Sequence, residues 1–230
     1  TDSEEEKTAI EKLLDRRVDG IILCSVNKSN QFNQYLKNLK IPIVTVANMI
    51  SEDFSYVGIN DKKAMQDATK YIISKGYNDL YYVSPPLRKS DTNIYAQKKR
   101  FQGFKNEINS TNKNISYSVI KHKNYLNLIN KINFNKDNTS CILCSSDVFA
   151  LEIINNLKKQ NIKIPQDVGI MGFDNIDFLE YVEPELSTVS YPIKEIGFKA
   201  VDKLINEIDN DKFDKEKILF DHKIIKGESL

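Results

Sequence analysis

The chain is 230 residues long, with 33 basic against 32 acidic residues, a formal charge of +1, three cysteines and no tryptophan. That length suits one large or two modest α/β units, and the balanced charge leaves no surplus to neutralise phosphates, which argues against nucleic-acid binding by this chain alone. An odd cysteine count in a long chain argues against a disulfide framework and fits a reducing compartment; no apolar run approaches the roughly 20 residues of a bilayer span, and the acidic opening TDSEEEKTAI lacks the apolar segment of a secretory signal.

In chain order, residues 2–17 predict a helix. Asp2 or Ser3 can cap it, acids fill its first turn, and Arg16 and Arg17 its last. GIILCSV from Gly20 predicts a strand buried on both faces. A second helix holds Phe32, Tyr35, Leu36 and Leu39, and the strands IPIVTVA and SYVGI follow. A helix through Ala64, Ala68 and Ile72 stops at Gly76, a C-terminal cap position. DLYYVS is the next strand; a polar loop over residues 85–94 leads to a helix around Arg100 and Phe104. YSVIKH, SCILCS and VGIMGF are strands, with a helix from Val148 to Gln160 before the last of them. Ile193 to Ile208 is a helix and KIIKG a final strand. Short apolar strands alternating with helices imply parallel sheets covered on both faces, about eight strands in one sheet or two.

In open parallel sheets, ligands bind at the carboxyl ends of strands. The residues that follow each apolar run here are Ser25, Asn48, Asn60 and Asp61, Ser84, Ser145 to Asp147, and Asp174 and Asn175. Hydroxyls, amides and carboxylates of this kind suit directional hydrogen bonds to a polyhydroxylated small molecule. They are also the ordinary caps of helices that follow strands. Cys141 and Cys144 form a C-x-x-C, but three residues apart on a strand they point to opposite faces, so core packing is expected. The two histidines, His122 and His222, are far apart, and no nucleophile elbow, P-loop or dinucleotide fingerprint occurs. Asp147 and Asp174 could serve as acid and base, yet no nucleophile or metal accompanies them, so no enzyme, cofactor or metal is expected. Arg100, in KKRFQGFKNE, is either part of a solvated basic face or, one turn from Gly103 and Phe104, a bidentate fork for a ligand.

Taken together, the segments resemble the ligand-binding core of the LacI/GalR family of bacterial transcription regulators. RRVDGIIL, IPIVTVA, SYVGIND and ISKGYNDLYYV run in the family's order. RFQGF, residues 100–104, matches R-x-x-G-[FYW]; SSDVFAL resembles N-D-x-x-A, with Ser146 where Asn is usual. IPQDVGIMGFDN, residues 164–175, is close to P-x-D-[VI]-x-[VI]-x-G-[FY]-D-[DN], and residues 184–204 resemble a further long motif.

The resemblance implies an α/β, two-lobed, periplasmic-binding-protein-like fold with parallel sheets flanked by helices. Residues 1–60 plus 190–217 would form the N-terminal lobe and residues 61–189 plus 218–230 the C-terminal lobe, with an effector cleft between them. Relative to the family, the first lobe is expected to lack its opening strand–helix–strand, and operator DNA would be read only by an N-terminal domain absent from this chain. The effector-binding set implied by the resemblance is Arg100, Asp174, Asp147, Ser146, Asn60, Ile59, Tyr125, Ser25 and Tyr191. The expected partners are a small-molecule effector, a saccharide by preference, and a second copy in a cytoplasmic homodimer, with no membrane. The alternative function is a free-standing sugar-binding protein of a transporter.

Overall fold

A computed structural model describes residues 3–85, 94–134, 139–210 and 215–230. Most of the polar loop expected over residues 85–94 therefore lies outside the described residues. In chain order the elements are α1 (Ser3–Asp15), β1 (Ile21–Leu23), α2 (Asn30–Asn38), β2 (Ile43–Val46), β3 (Ser55–Ile59), α3 (Asp61–Ser74), β4 (Asp79–Val83), α4 (Tyr95–Ser110) and β5 (Ser116–Ile120). They continue with α5 (Tyr125–Ile129), β6 (Ser140–Cys144), α6 (Asp147–Lys158), β7 (Gly169–Met171), a 3-10 turn (Asp177–Tyr181), β8 (Thr188–Ser190), α7 (Ile193–Asn210), β9 (Lys217–Phe220) and β10 (Lys223–Ile225).

The chain divides into two compact units. The first takes the chain up to Asn60, a short segment ending at Ala96, and Pro192–Asp221; the second takes Asp61–Leu87, Gln97–Tyr191 and His222–Leu230.

The first unit holds a parallel sheet in the order β1-β2-β3-β9. Its register is set by Ile21 opposite Ile43, Val44 opposite Ser55 and Val57 opposite Ile218. All five residues of β3 are buried, as expected of a strand inside a parallel sheet. Ser29 caps α2 by accepting from the Phe32 amide at 3.1 Å, and that helix buries Phe32 and Leu36 against Ile10, Ile21 and Ile43. Because β9 pairs with β3, residues 218–221 stay with the first unit, past the crossing near 217 expected from sequence.

The second unit holds a parallel sheet in the order β5-β4-β6-β7, and β8 and β10 form an antiparallel pair. β6, SCILC, is buried at all five positions, and Cys141 and Cys144 are core residues there. α3 ends at Ser74, and Gly76 follows with φ 97°, the left-handed turn that a glycine makes without strain. β8 and β9 were not legible as strands. β8 is three residues long, and β9 is an edge strand of alternating exposure with a lysine at its start.

Among the described residues no helix is long and apolar enough to cross a membrane.

Candidate functional site

The second unit gathers its charged groups at the start of α3, on α4, and where β6 and β7 run out into α6 and the loop after Met171. Asp61 is the first residue of α3, directly after β3. Arg100 comes from α4, which lies so close to α3 that a Cβ at Gly103 would sit 2.1 Å from the Lys62 carbonyl oxygen. The glycine of R-x-x-G thus lets two helix backbones meet, and their approach delivers Arg100 to Asp61.

Arg100 Nε donates to Asp61 Oδ1 at 2.8 Å. Its Nη1 donates to the Ser145 carbonyl at 2.7 Å and to Asp174 Oδ1 at 2.9 Å. The guanidinium carbon lies 3.7 Å above the centre of the Phe173 ring, a cation–π arrangement that also fixes the plane of the fork. Tyr191 Oη donates to the same Asp174 Oδ1 at 3.0 Å. The Arg100 and Asp61 side chains are 7% and 3% exposed and Asp174 is 22% exposed, so Asp174 is the open member of the cluster.

One guanidinium cannot neutralise two carboxylates. Burial raises the pKa of Asp61, partly offset by Arg100. Burial likewise raises that of Asp174, offset by Arg100 and by the Tyr191 hydroxyl. Burial alone would weaken the Arg100 cation, but Asp174 and Asp61 outweigh it and hold the arginine charged. Burial, reinforced by the Asp174 carboxylate, pushes the Tyr191 phenol up.

The loop that presents Asp174 is built from non-routine backbone. Asp174 has φ 116° and Asn175 φ 54°, values few side chains adopt without a compensating framework. That framework is Asp147. Its amide donates to the Phe173 carbonyl at 2.7 Å, its Oδ2 accepts from the Ile176 amide at 3.0 Å, and its Oδ1 accepts from Thr188 Oγ1 at 2.6 Å. Gly172 makes room, since a Cβ there would stand 2.1 Å from Asp147 Oδ1. The Asp174 amide donates to the Val189 carbonyl at 2.9 Å, and Asn175 Nδ2 to Ser190 Oγ at 3.2 Å, tying the loop to β8.

Of the nine residues expected from sequence, Arg100, Asp174 and Tyr191 are brought together directly. Asp147 is fully buried, with one oxygen spent on the loop and the other on Thr188 of β8. Ser146 caps α6 through the Val148 amide at 3.2 Å. Tyr125 lies in the core beside Phe149, with its hydroxyl on Glu152. Ile59, buried, ends β3 and exposed Asn60 follows it; buried Ser25 closes a turn on Asn27 in the first unit. Asp61 and Phe173 were not among the nine. Asp61 was visible as a polar residue after a strand, but its partner lies 39 positions along the chain.

Two α/β units, each with a parallel sheet, the second carrying a fixed arginine–carboxylate fork, define a periplasmic-binding-protein-like module. Residues 69–230 match the family described as periplasmic binding protein-like domain. The HTH-type transcriptional regulator RegA of Clostridium acetobutylicum is 31% identical over 233 residues, covering 99% of this chain and 70% of that protein. The HTH-type transcriptional repressor PurR of Vibrio vulnificus is 27% identical over 219 residues, covering 92% of this chain and 64% of that protein. The crystal structure of a periplasmic binding protein/LacI transcriptional regulator from Alkaliphilus metalliredigens QYMF, complexed with D-xylulofuranose, superposes with a TM-score of 0.79 at 25% identity, covering 99% of this chain and 84% of that one. The chain belongs to the LacI/GalR family of transcription regulators, within the periplasmic-binding-protein-like class. It spans about two thirds of the length of these curated relatives.

Proposed function

We propose that this chain is the effector-sensing and dimerisation core of a cytoplasmic LacI/GalR-type repressor, and that it binds a small polyhydroxylated molecule, a saccharide, at the Arg100–Asp174–Tyr191 cluster. One observation carries the reading: a buried guanidinium is locked by Asp61 and Phe173 so that its outer edge, beside the partly open Asp174 carboxylate, is set before any ligand arrives. Preset donors and acceptors lower the ordering cost of binding. The sugar complex of the A. metalliredigens relative supports a saccharide, and the regulator names of the sequence relatives support control of operator binding rather than transport. Asp147 and Ser146 would act through the loop and helix they hold. Ligand binding would then favour one of two states of a homodimer that differ in operator affinity. The apolar side chains of Ile193, Phe198, Val201 and Ile205, exposed on α7, support self-association.

The test is a thermal-shift and calorimetric screen of monosaccharides against the protein and its Arg100→Ala variant. A sugar that stabilises the first and not the second is expected. Stabilisation by nucleobases alone, or by none of the compounds, would refute the saccharide reading.

A further inference from the structure

We infer that the open edge of β5 is a docking site for an acidic, extended segment of another protein, which adds to the sheet as a further strand. Among the described residues β5 pairs with β4 alone and ends its sheet. The Ser116 amide donates to the Asn78 carbonyl, and the Ile120 carbonyl accepts from the Ser84 amide. The even-numbered residues therefore bond β4, and the amides and carbonyls of Tyr117 and Val119 point outward from the sheet. Such an edge is a template for another strand unless a charge or proline on the strand, or a bulge, blunts it. SYSVI has no charge and no proline, its register with β4 runs unbroken from Ser116 to Ile120, and Ser116, Tyr117 and Ser118 are exposed.

The charge around the edge defines the kind of partner. From Gln97 to Asn124 the chain has seven bases and one acid, in a protein whose formal charge is +1. The acid, Glu107, is buried and bonded by Gln66, and Arg100 is spent on Asp61 and Asp174, so the remaining bases are all lysines. Two of these frame β5 on the face that meets α4. Lys105 Nζ donates to the Tyr117 hydroxyl and lies 4.3 Å from the centre of that ring; Lys121, directly after the strand, stands 3.1 Å from the centre of the Phe101 ring. Tyr117 and Lys121 share a strand face and lie roughly 13 Å apart along it. Lys113, before the strand, donates to the Ile73 carbonyl at 2.9 Å. The oxygens that Lys105 and Lys113 bond are neutral and cancel neither charge. Asp79, in register with Ser116 and so on the opposite face, is bonded by the hydroxyls of Tyr81, Ser116 and Ser140. A partner strand with acids at the spacing of Tyr117 and Lys121 meets both framing lysines while its backbone takes the outward groups of Tyr117 and Val119. A nucleic acid meets the lysines but not the strand edge, and a second copy of β5 brings lysines against lysines.

The test is calorimetry with two short peptides, Thr-Glu-Val-Thr-Val-Glu-Thr and its counterpart Thr-Lys-Val-Thr-Val-Lys-Thr, and with a short thymidine oligonucleotide, on the protein, on Val119→Pro and on the double variant Lys105→Glu, Lys121→Glu. The acidic peptide is expected to bind about tenfold more tightly than the lysine peptide at low salt, with the gap closing as salt is added. Val119→Pro removes an outward amide and no bond to β4, so it should weaken the acidic peptide by about tenfold while urea unfolding shows that the fold persists. The double variant should reverse the preference between the two peptides. Should Val119→Pro not fold, the double variant, which leaves the backbone untouched, decides the matter alone. Equal binding of the two peptides, binding of neither, or acidic-peptide affinity unchanged in the double variant would overturn the inference. So would an oligonucleotide that binds more tightly than the acidic peptide and is lost in the double variant, which would make the lysines a phosphate-binding face.

Discussion

Gly172 is a glycine because of Asp147: the Asp147 Oδ1 atom stands 2.1 Å from where a Cβ at residue 172 would be. The same oxygen accepts from Thr188, and its partner oxygen accepts from Ile176, so one carboxylate ties the end of β7, the loop beyond it and β8 into a single unit. The left-handed Asp174 hangs on that unit.

Gly172→Ala should therefore act on the loop and not on the strand alone. The new methyl must displace Asp147, which breaks its bonds to Thr188 and Ile176. The expected cost is about 1–3 kcal/mol of stability together with weaker sugar binding. Gly197 on α7 is the control: a Cβ there meets nothing within 4 Å, so Gly197→Ala should stabilise by about 0.5–1 kcal/mol from helix propensity and leave affinity unchanged. Urea unfolding with calorimetry on both variants checks the pair.

Arg100→Ala should weaken effector affinity by roughly ten- to a hundredfold, the loss of charge-assisted hydrogen bonds worth about 1.5–3 kcal/mol. It also leaves Asp61 buried without its cation, so stability should fall by about 3–5 kcal/mol. Asp174→Asn keeps an oxygen for Arg100 and Tyr191 and should lose affinity with a smaller stability change. Lys98→Ala, on an exposed position of the same helix, should alter neither. Equal affinities for Asp174→Asn and the unaltered protein would remove Asp174 from the ligand site.

Much of this arrangement was legible in the sequence, and the limits have physical causes. IPQDVGIMGFDN placed Asp174 at a strand end, and RFQGF placed Arg100 one turn from Gly103 and Phe104, because both signals are local. The role of Asp147 was not legible. Its partner Thr188 lies 41 residues away, and nothing near SSDVFAL shows that the carboxylate turns inward to the loop. The placement of Tyr125 was not legible for a related reason. It opens α5, a five-residue helix with no side-chain cap bond, in a stretch whose register nothing local fixes.

Tyr125→Phe separates that expectation from the structure. Its hydroxyl bonds Glu152 at the rim of the core while its ring packs on Phe149. Removing the hydroxyl should cost about 0.5–1.5 kcal/mol at most, with sugar affinity unchanged. A tenfold loss of affinity would return Tyr125 to the ligand site.

The pH dependence should carry two signs. Asp53, bonded by Asn33, Lys37 and Lys215, is held at a pKa of about 2, below the usual carboxylate range. A depressed folded pKa contributes stability above the unfolded value of 3.8, and that stability is lost as pH falls from there toward 2. Asp61, Asp147 and Asp174 are shifted the other way, chiefly by burial. Between 3.8 and their raised values the folded chain binds more protons than the unfolded one, so these three make stability fall as pH rises through that window. Ligand binding has its own sign. If a sugar hydroxyl donates to Asp174, the carboxylate must be ionised, and affinity should decline as pH drops through the raised Asp174 value, sooner than an ordinary aspartate would allow. Calorimetry from pH 7.5 downward, on the unaltered protein and on Asp174→Asn, reads this directly. The unaltered protein should begin to lose affinity at a higher pH than an ordinary aspartate would allow, and the variant should show a flat, weaker profile; the same pH profile for both would mean that another group controls binding.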